Sequence, residues 1–174
     1  MSDNWKKMIP VEDKPKIDIP KTSLERFLDI ISFIAMVGAV IYVSVMYTKL
    51  PEKVPMHFNG RGEVDRYGDK AELWILPAIM VVLWVGLTML ERYPHTFNYM
   101  NLTKDNVEQQ YQNARLMMNV LKTEITFLFV YICWEIVQSA IRGSNEWAAL
   151  QIPIFTGVIM LTVILFVIRS FRLK

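Results

Sequence analysis

Ile30-Ile-Ser-Phe-Ile-Ala-Met-Val-Gly-Ala-Val-Ile-Tyr-Val-Ser-Val-Met-Tyr-Thr48 is a run of 19 residues without a charge. It decides the class of the protein. A hydrocarbon core of about 30 Å needs roughly 20 helical residues at about 1.5 Å each. Leu73–Leu90 adds 18 uncharged residues and Trp147–Ile168 another 22. Ile125–Ile141 is 17 residues long and is broken once, by Glu135. The expectation is an all-α membrane protein with four transmembrane helices. The first run is longer than the roughly 7–15 residues of a signal h-region and has no small-residue cleavage site after it, so it reads as a retained anchor.

Composition agrees. Hydrophobic residues make up 53% and charged ones 21%, and the charges fall in blocks between the apolar runs. A soluble enzyme would spread charge along its whole length. Lys and Arg (19) nearly balance Asp and Glu (17), which gives no case for a nucleic-acid partner. The single cysteine, Cys133, excludes an internal disulfide and a cysteine-based zinc site.

Orientation follows from the basic residues flanking the runs. The N-terminal arm, the segment after the second run and the C-terminal tail together hold 13 Lys and Arg. The loop between the first two runs, with Arg142, holds six. The positive-inside rule therefore predicts a multi-pass protein of the cell membrane with both termini in the cytoplasm. The Lys49–Glu72 loop then faces outward, and Trp74, Trp134 and Trp147 read as interfacial anchors.

Residues 1–23 form an arm carrying Pro10, Pro15 and Pro20 among lysines and aspartates. It is either a polyproline-like strip on anionic headgroups or a solvated tail. Residues 24–174 make one four-helix domain. Between Pro94 and Gly143 there is no glycine or proline. With Thr103 as a candidate N-cap and Asp105 in the first turn, an amphipathic helix is expected to start near Lys104. Val107, Tyr111, Ala114, Met118 and Leu121 form its apolar side, opposite Glu108, Gln112, Asn113 and Arg115. It lies on the inner leaflet or continues unbroken into the third span; the absence of any helix breaker predicts one uninterrupted helix.

The outer loop, 24 residues from Lys49 to Glu72, is too long to be a simple connection. Its prolines and glycines should fold it into a compact cap. Gly60-Arg-Gly62 lacks the Lys-Ser/Thr ending of a phosphate loop. The loop reads Pro51-x-x-x-Pro55-x-His57-Phe58-Asn59-x-x-Gly62-x-x-Asp65-x-Tyr67-Gly68-x-Lys70. This pattern resembles the signature of the DUF1648 family of bacterial and archaeal membrane proteins, over a region of about residues 28–75. Tyr93-Pro94-His95-Thr-Phe97-Asn98-Tyr99, with Glu108 to Arg115 beyond it, also resembles stand-alone members of that family. The resemblance covers the chain from about Lys16 to Leu128. Relatives of the SdpI-like type confer immunity to a secreted toxin and act in signalling, and carry a further helical domain after this unit. Here the chain ends after the fourth span, so the resemblance implies the N-terminal unit without the SdpI C-terminal domain.

Two clusters are candidates for function. In the cap, either His57 and Asp65 form an outward-facing metal or acid–base pair, with Glu63 and Asp69 near, or His57 and Asn59 hydrogen-bond the loop backbone and hold the cap shut. No His-Glu-x-x-His motif or serine–histidine constellation is present, so no catalytic residue or cofactor is expected and the protein reads as no enzyme, while a metal at the outer loop stays open. In the third span Glu124, Tyr131, Glu135, Gln138 and Arg142 fall on one helical face. A carboxylate there faces the bundle interior or a water-filled crevice, as a functional site or as interhelical glue.

The expected ligand-binding set is His57, Asn59, Asp65, Tyr67, Lys70 and Glu135. Besides the lipid bilayer, the partner would be a peptide, toxin or envelope component recognised by a sensor or immunity-like protein. The alternative is a small transporter or channel subunit with a Glu135-lined path, which would require a homo-oligomer because four helices line only a thin pore.

Overall fold

The computed structural model describes residues 14–143 and 148–173. Most of them are helical. Helix α1 spans Ser23–Tyr47, a hairpin of β1 (Lys53–Phe58) and β2 (Val64–Asp69) follows, and a 3-10 turn over Lys70–Trp74 leads into α2 (Ile75–Leu90). A short 3-10 turn at Pro94–Thr96 precedes α3 (Val107–Arg142) and α4 (Ala148–Arg172). Three segments are long and apolar enough to cross a membrane: Ser23–Tyr47, Lys70–Leu90 and Leu150–Arg172. Their outward faces carry large apolar side chains, among them Phe33, Ile41, Val82, Ile154 and Leu165. That surface suits lipid and is consistent with a multi-pass membrane protein.

Helix α1 starts where its sequence marks a start. The Thr22 hydroxyl accepts from Glu25 N at 3.2 Å while Glu25 Oε2 accepts from Thr22 N at 2.7 Å, a reciprocal capping box. Helix α3 is one uninterrupted 36-residue helix, as the lack of glycine and proline predicts. It begins at Val107, slightly later than expected, because Thr103 caps a preceding turn instead. Thr103 N donates to Asn106 Oδ1 at 2.8 Å and Asn106 N to Thr103 Oγ1 at 3.3 Å, and Asn106 becomes the helix N-cap.

α3 is the central element. It packs against α1, α2, α4 and β1, and its sides are thus shielded by the more apolar helices. The expected amphipathic pattern holds for exposed Glu108 and Gln112, but Asn113 and Arg115 are buried, together with Gln110, Asn119 and Lys122. Each of these finds a partner inside the protein, so α3 turns a polar face inward. The described part of the arm, residues 14–22, has no regular structure. Its Ile17 and Ile19 pack against Leu102, Tyr111, Tyr99 and Val107, which makes it a strap over the start of α3. Residues 1–13 and Trp147 lie outside the described residues.

Candidate functional site

The cap is a twisted hairpin. Lys53 pairs with Asp69, Val54 with Gly68 and Pro55 with Tyr67, after which irregularities around Met56 and His57 shift the register. Such bulges break the period-two alternation by which strands are recognised in a sequence. Asn59 builds the tip. Its Oδ1 accepts from Arg61 N at 2.8 Å and Glu63 N at 3.1 Å, and its Nδ2 donates to Glu63 Oε2 at 2.9 Å. Gly62 closes the turn at φ 79°, a left-handed conformation that a side chain would strain. Gly68 has close side-chain neighbours instead. A Cβ there would stand 2.6 Å from Glu72 Oε1 and 2.7 Å from Met56 Cγ.

The inner face of the hairpin is glued to the bundle. Val54 joins Val43, Leu50, Leu73, Cys133, Ile136 and Val137 in one buried cluster, with Phe58 packed against it. Lys70 fixes the base of the hairpin: its Nζ donates to Glu52 Oε1 at 2.8 Å and lies 5.3 Å from the Tyr47 ring centroid. The outer face is different. His57 Nδ1 donates to Asp65 Oδ1 at 2.5 Å, and the two side chains remain 64% and 42% exposed. The other ring nitrogen, Nε2, has no partner among the described residues. Tyr67 is exposed beside them. A carboxylate that holds one imidazole nitrogen orients the ring and sets its tautomer, leaving the second nitrogen to meet whatever approaches. Among the described residues no three His, Cys, Asp or Glu side chains gather to hold a metal ion.

Glu135 sits elsewhere. It is buried, its Oε2 accepts from Tyr131 Oη and its Oε1 from Ser139 Oγ, both at 3.2 Å. The hairpin residue that reaches it is Phe58, which lines a cavity of about 30 Å³ with Glu135, Tyr131, Ile132, Ile136 and Ile152. Among the described residues no hydrogen bond joins Glu135 to the His57–Asp65 pair. The other members of the α3 stripe divide between neighbours. Gln138 donates to Tyr42 Oη of α1 at 2.9 Å, Glu124 accepts from Thr162 of α4, and Arg142 is exposed.

The opposite end of the bundle holds a second cluster. Lys122 Nζ lies 2.6 Å from both Asp29 and Glu91, and its side chain is fully buried, as is that of Glu91. Lys21, from the strap, reaches the same two carboxylates at 2.6 and 2.7 Å. Burial alone would lower the Lys21 pKa, but its hydrogen bonds to Asp29 and Glu91 outweigh that and raise it above its ordinary 10.5. Asn119 donates to Asp29 at 2.7 Å. One step along, Arg115 binds Glu25 through two nitrogens, at 2.7 and 3.1 Å, and donates to Ile19 O and Pro20 O of the strap. Two lysines face two acids and one arginine faces one acid, so the cluster is charge-balanced. It ties the strap, α1, α2 and α3 to one another.

Residues 34–81 match the family described as "Domain of unknown function (DUF1648)". That segment holds most of α1, the whole hairpin and the start of α2. Over that segment the chain is similar to the DUF1648 family. It is also similar to an uncharacterized protein of Archaeoglobus fulgidus, 35% identical over 103 residues, which are 52% of this chain and 56% of that protein. The match thus spans little more than half of the relative's length. No solved structure matches the chain.

Of the buried cluster, Lys21, Glu25, Asp29, Glu91, Arg115, Asn119 and Lys122 all lie outside the matched DUF1648 segment. In the sequence, Lys21 and Lys122 read only as flanking charge and Arg115 as part of the polar side of an amphipathic helix. The signal was nevertheless present. Arg115, Asn119 and Lys122 are spaced four and three apart, on one face of α3, while acids stand at the matching ends of two apolar runs.

Proposed function

We propose that the chain is a non-enzymatic sensor or immunity-like protein of the cell membrane. It spans the bilayer four times, keeps both termini in the cytoplasm and presents the DUF1648 hairpin outside. There the hairpin recognises a peptide, toxin or envelope component. The carrying observation is the exposed, carboxylate-oriented His57 on a hairpin whose other face is fastened to the bundle. Rigid support beneath an unengaged polar face is what a recognition surface needs, since little ordering is left to do on binding. Tyr67 beside it adds an aromatic contact of the type that dominates recognition surfaces.

Four spans follow if α3 crosses as well. Its hydropathy is low because α1, α2 and α4 surround it, and a central helix needs less lipid-compatible surface. Glu135 is compatible with that depth because Tyr131 and Ser139 occupy both its oxygens. The same occupation weakens the transporter alternative, in which Glu135 would have to be free to meet a solute. The resemblance of the loop to SdpI-like proteins supports an immunity or signalling role over a metabolic one.

The reading is tested with a photo-crosslinking amino acid at Tyr67 in intact cells. A discrete adduct that disappears on His57→Ala and Asp65→Asn is expected. No adduct, or one indifferent to both substitutions, contradicts recognition by this face.

A further inference from the structure

A two-stranded sheet has two outer edges, and in this hairpin they differ. Lys70 N donates to Glu52 O at 3.0 Å, which sets the alternation of the ladder. The next hydrogen-bonded pair is Val54 with Gly68. The pairs between and beyond, Lys53 with Asp69 and Pro55 with Tyr67, turn their backbone groups away from the partner strand. On the β1 edge that position is Pro55, which has no N–H to give, and β1 packs against α3. The β1 edge is therefore closed.

β2 packs against β1 and the 3-10 turn that follows it. On its outer edge the Asp69 N–H is taken by Glu72 Oε1 at 3.0 Å, as expected of a group that points away from β1. Among the described residues no side chain takes up the Tyr67 N–H or C=O. Strand edges are commonly blunted by charged side chains. Here Arg66 is drawn back to Glu72 at 3.1 Å and leaves the edge open. Asp65 and Asp69 stand exposed two residues to either side of Tyr67, itself 62% exposed. Asp65 meets His57, and among the described residues no basic side chain forms an ion pair with Asp69.

These groups select their partner. The N–H and C=O of one extended residue are matched together by the backbone of another extended chain. Carboxylates on both sides of an aromatic ring favour basic side chains beside it. We propose that β2 takes up an extended cationic peptide as a third strand, with Tyr67 N–H and C=O as the central hydrogen bonds and Asp65 and Asp69 facing its basic residues. This rests on the recognition reading of the hairpin and deepens it, since it names the class of ligand and the way it docks.

The test uses the full chain in phosphatidylcholine nanodiscs and a capped seven-residue peptide of alternating lysine and valine. The Tyr67 amide hydrogen should exchange quickly in the free chain and at least about tenfold more slowly with peptide bound. The same peptide methylated at its lysine backbone nitrogens keeps every side chain but loses the donors, and should not bind. Tyr67→Pro removes the outward N–H and spares the ladder, so it should weaken binding at least about tenfold more than Tyr67→Ala, which keeps that N–H. Equal binding of the methylated peptide, or a Tyr67 amide indifferent to peptide, would overturn the proposal. Should Tyr67→Pro fail to fold, the methylated peptide on the unaltered chain decides. Failure of the parent peptide to bind also refutes strand addition, and a Tyr67 cross-link in cells would then show that the hairpin recognises its ligand in another way.

Discussion

His57–Asp65 and Lys122–Glu91 are both close pairs of a basic and an acidic side chain, at 2.5 and 2.6 Å. The first pair lies on the outer face of the hairpin and is largely exposed; the second is fully buried among α1, α2 and α3. Water screens the first and leaves it little weight in stability. The second has lost its hydration, and each charge depends on its partner. Equal geometry thus serves opposite ends. The exposed pair is open to a ligand, and the buried one fixes how four parts of the chain meet.

The sharpest way to break this contrast is Lys122→Met. It leaves Glu91 buried without its main counter-charge, and a loss of about 3–5 kcal/mol is expected. The reversible unfolding midpoint in detergent measures it. An unchanged midpoint would mean that the cluster holds nothing. Adding Glu91→Gln sharpens the point: the double variant should be more stable than the sum of the two single losses, because each removes the other's stranded charge.

Gly68→Ala comes next. The new Cβ would collide with Glu72 and Met56, and overpacking of this kind costs about 1–3 kcal/mol. Since the collision is confined to the hairpin and the 3-10 turn after it, faster proteolysis between β1 and β2 should register it first, ahead of any loss of helical signal. Cleavage at the wild-type rate would show that the hairpin accommodates a side chain there. The smallest effect belongs to His57→Ala, which should leave the unfolding midpoint in place while abolishing the Tyr67 cross-link. A lowered midpoint would make His57 a structural residue and remove the contrast.

How far these two regions could be read in advance differs for physical reasons. α1, α2 and α4 were legible because an uncharged run of membrane length has few other uses. The unbroken α3 was legible because no glycine or proline interrupts it. The hairpin was recognisable as a compact cap, but its strands were hidden, since Pro55 and the bulges around Met56 and His57 disturb alternation. The hydrogen bond between His57 and Asp65 is one of the two arrangements that the loop's residue types allow. Asn59 and Lys70 proved to be held by the hairpin's own turn and base. The buried cluster was missed for a deeper reason. Reading amphipathicity assumes that polar faces look to water, and in a bundle surrounded by apolar surface they look inward to each other. Asn113 and Arg115 were placed on the outer side for that reason.

The proposed orientation sets the hairpin and the buried cluster on opposite sides of the membrane, the hairpin outside. Arg61→Cys places a thiol at the hairpin tip, and Met100→Cys places one at an exposed position in the connection from α2 to α3. The native Cys133 is buried and serves as the unreactive background. With a membrane-impermeant maleimide on intact cells, position 61 should label at once and position 100 only after permeabilisation. Labelling of position 100 in intact cells, with position 61 protected, would contradict the account.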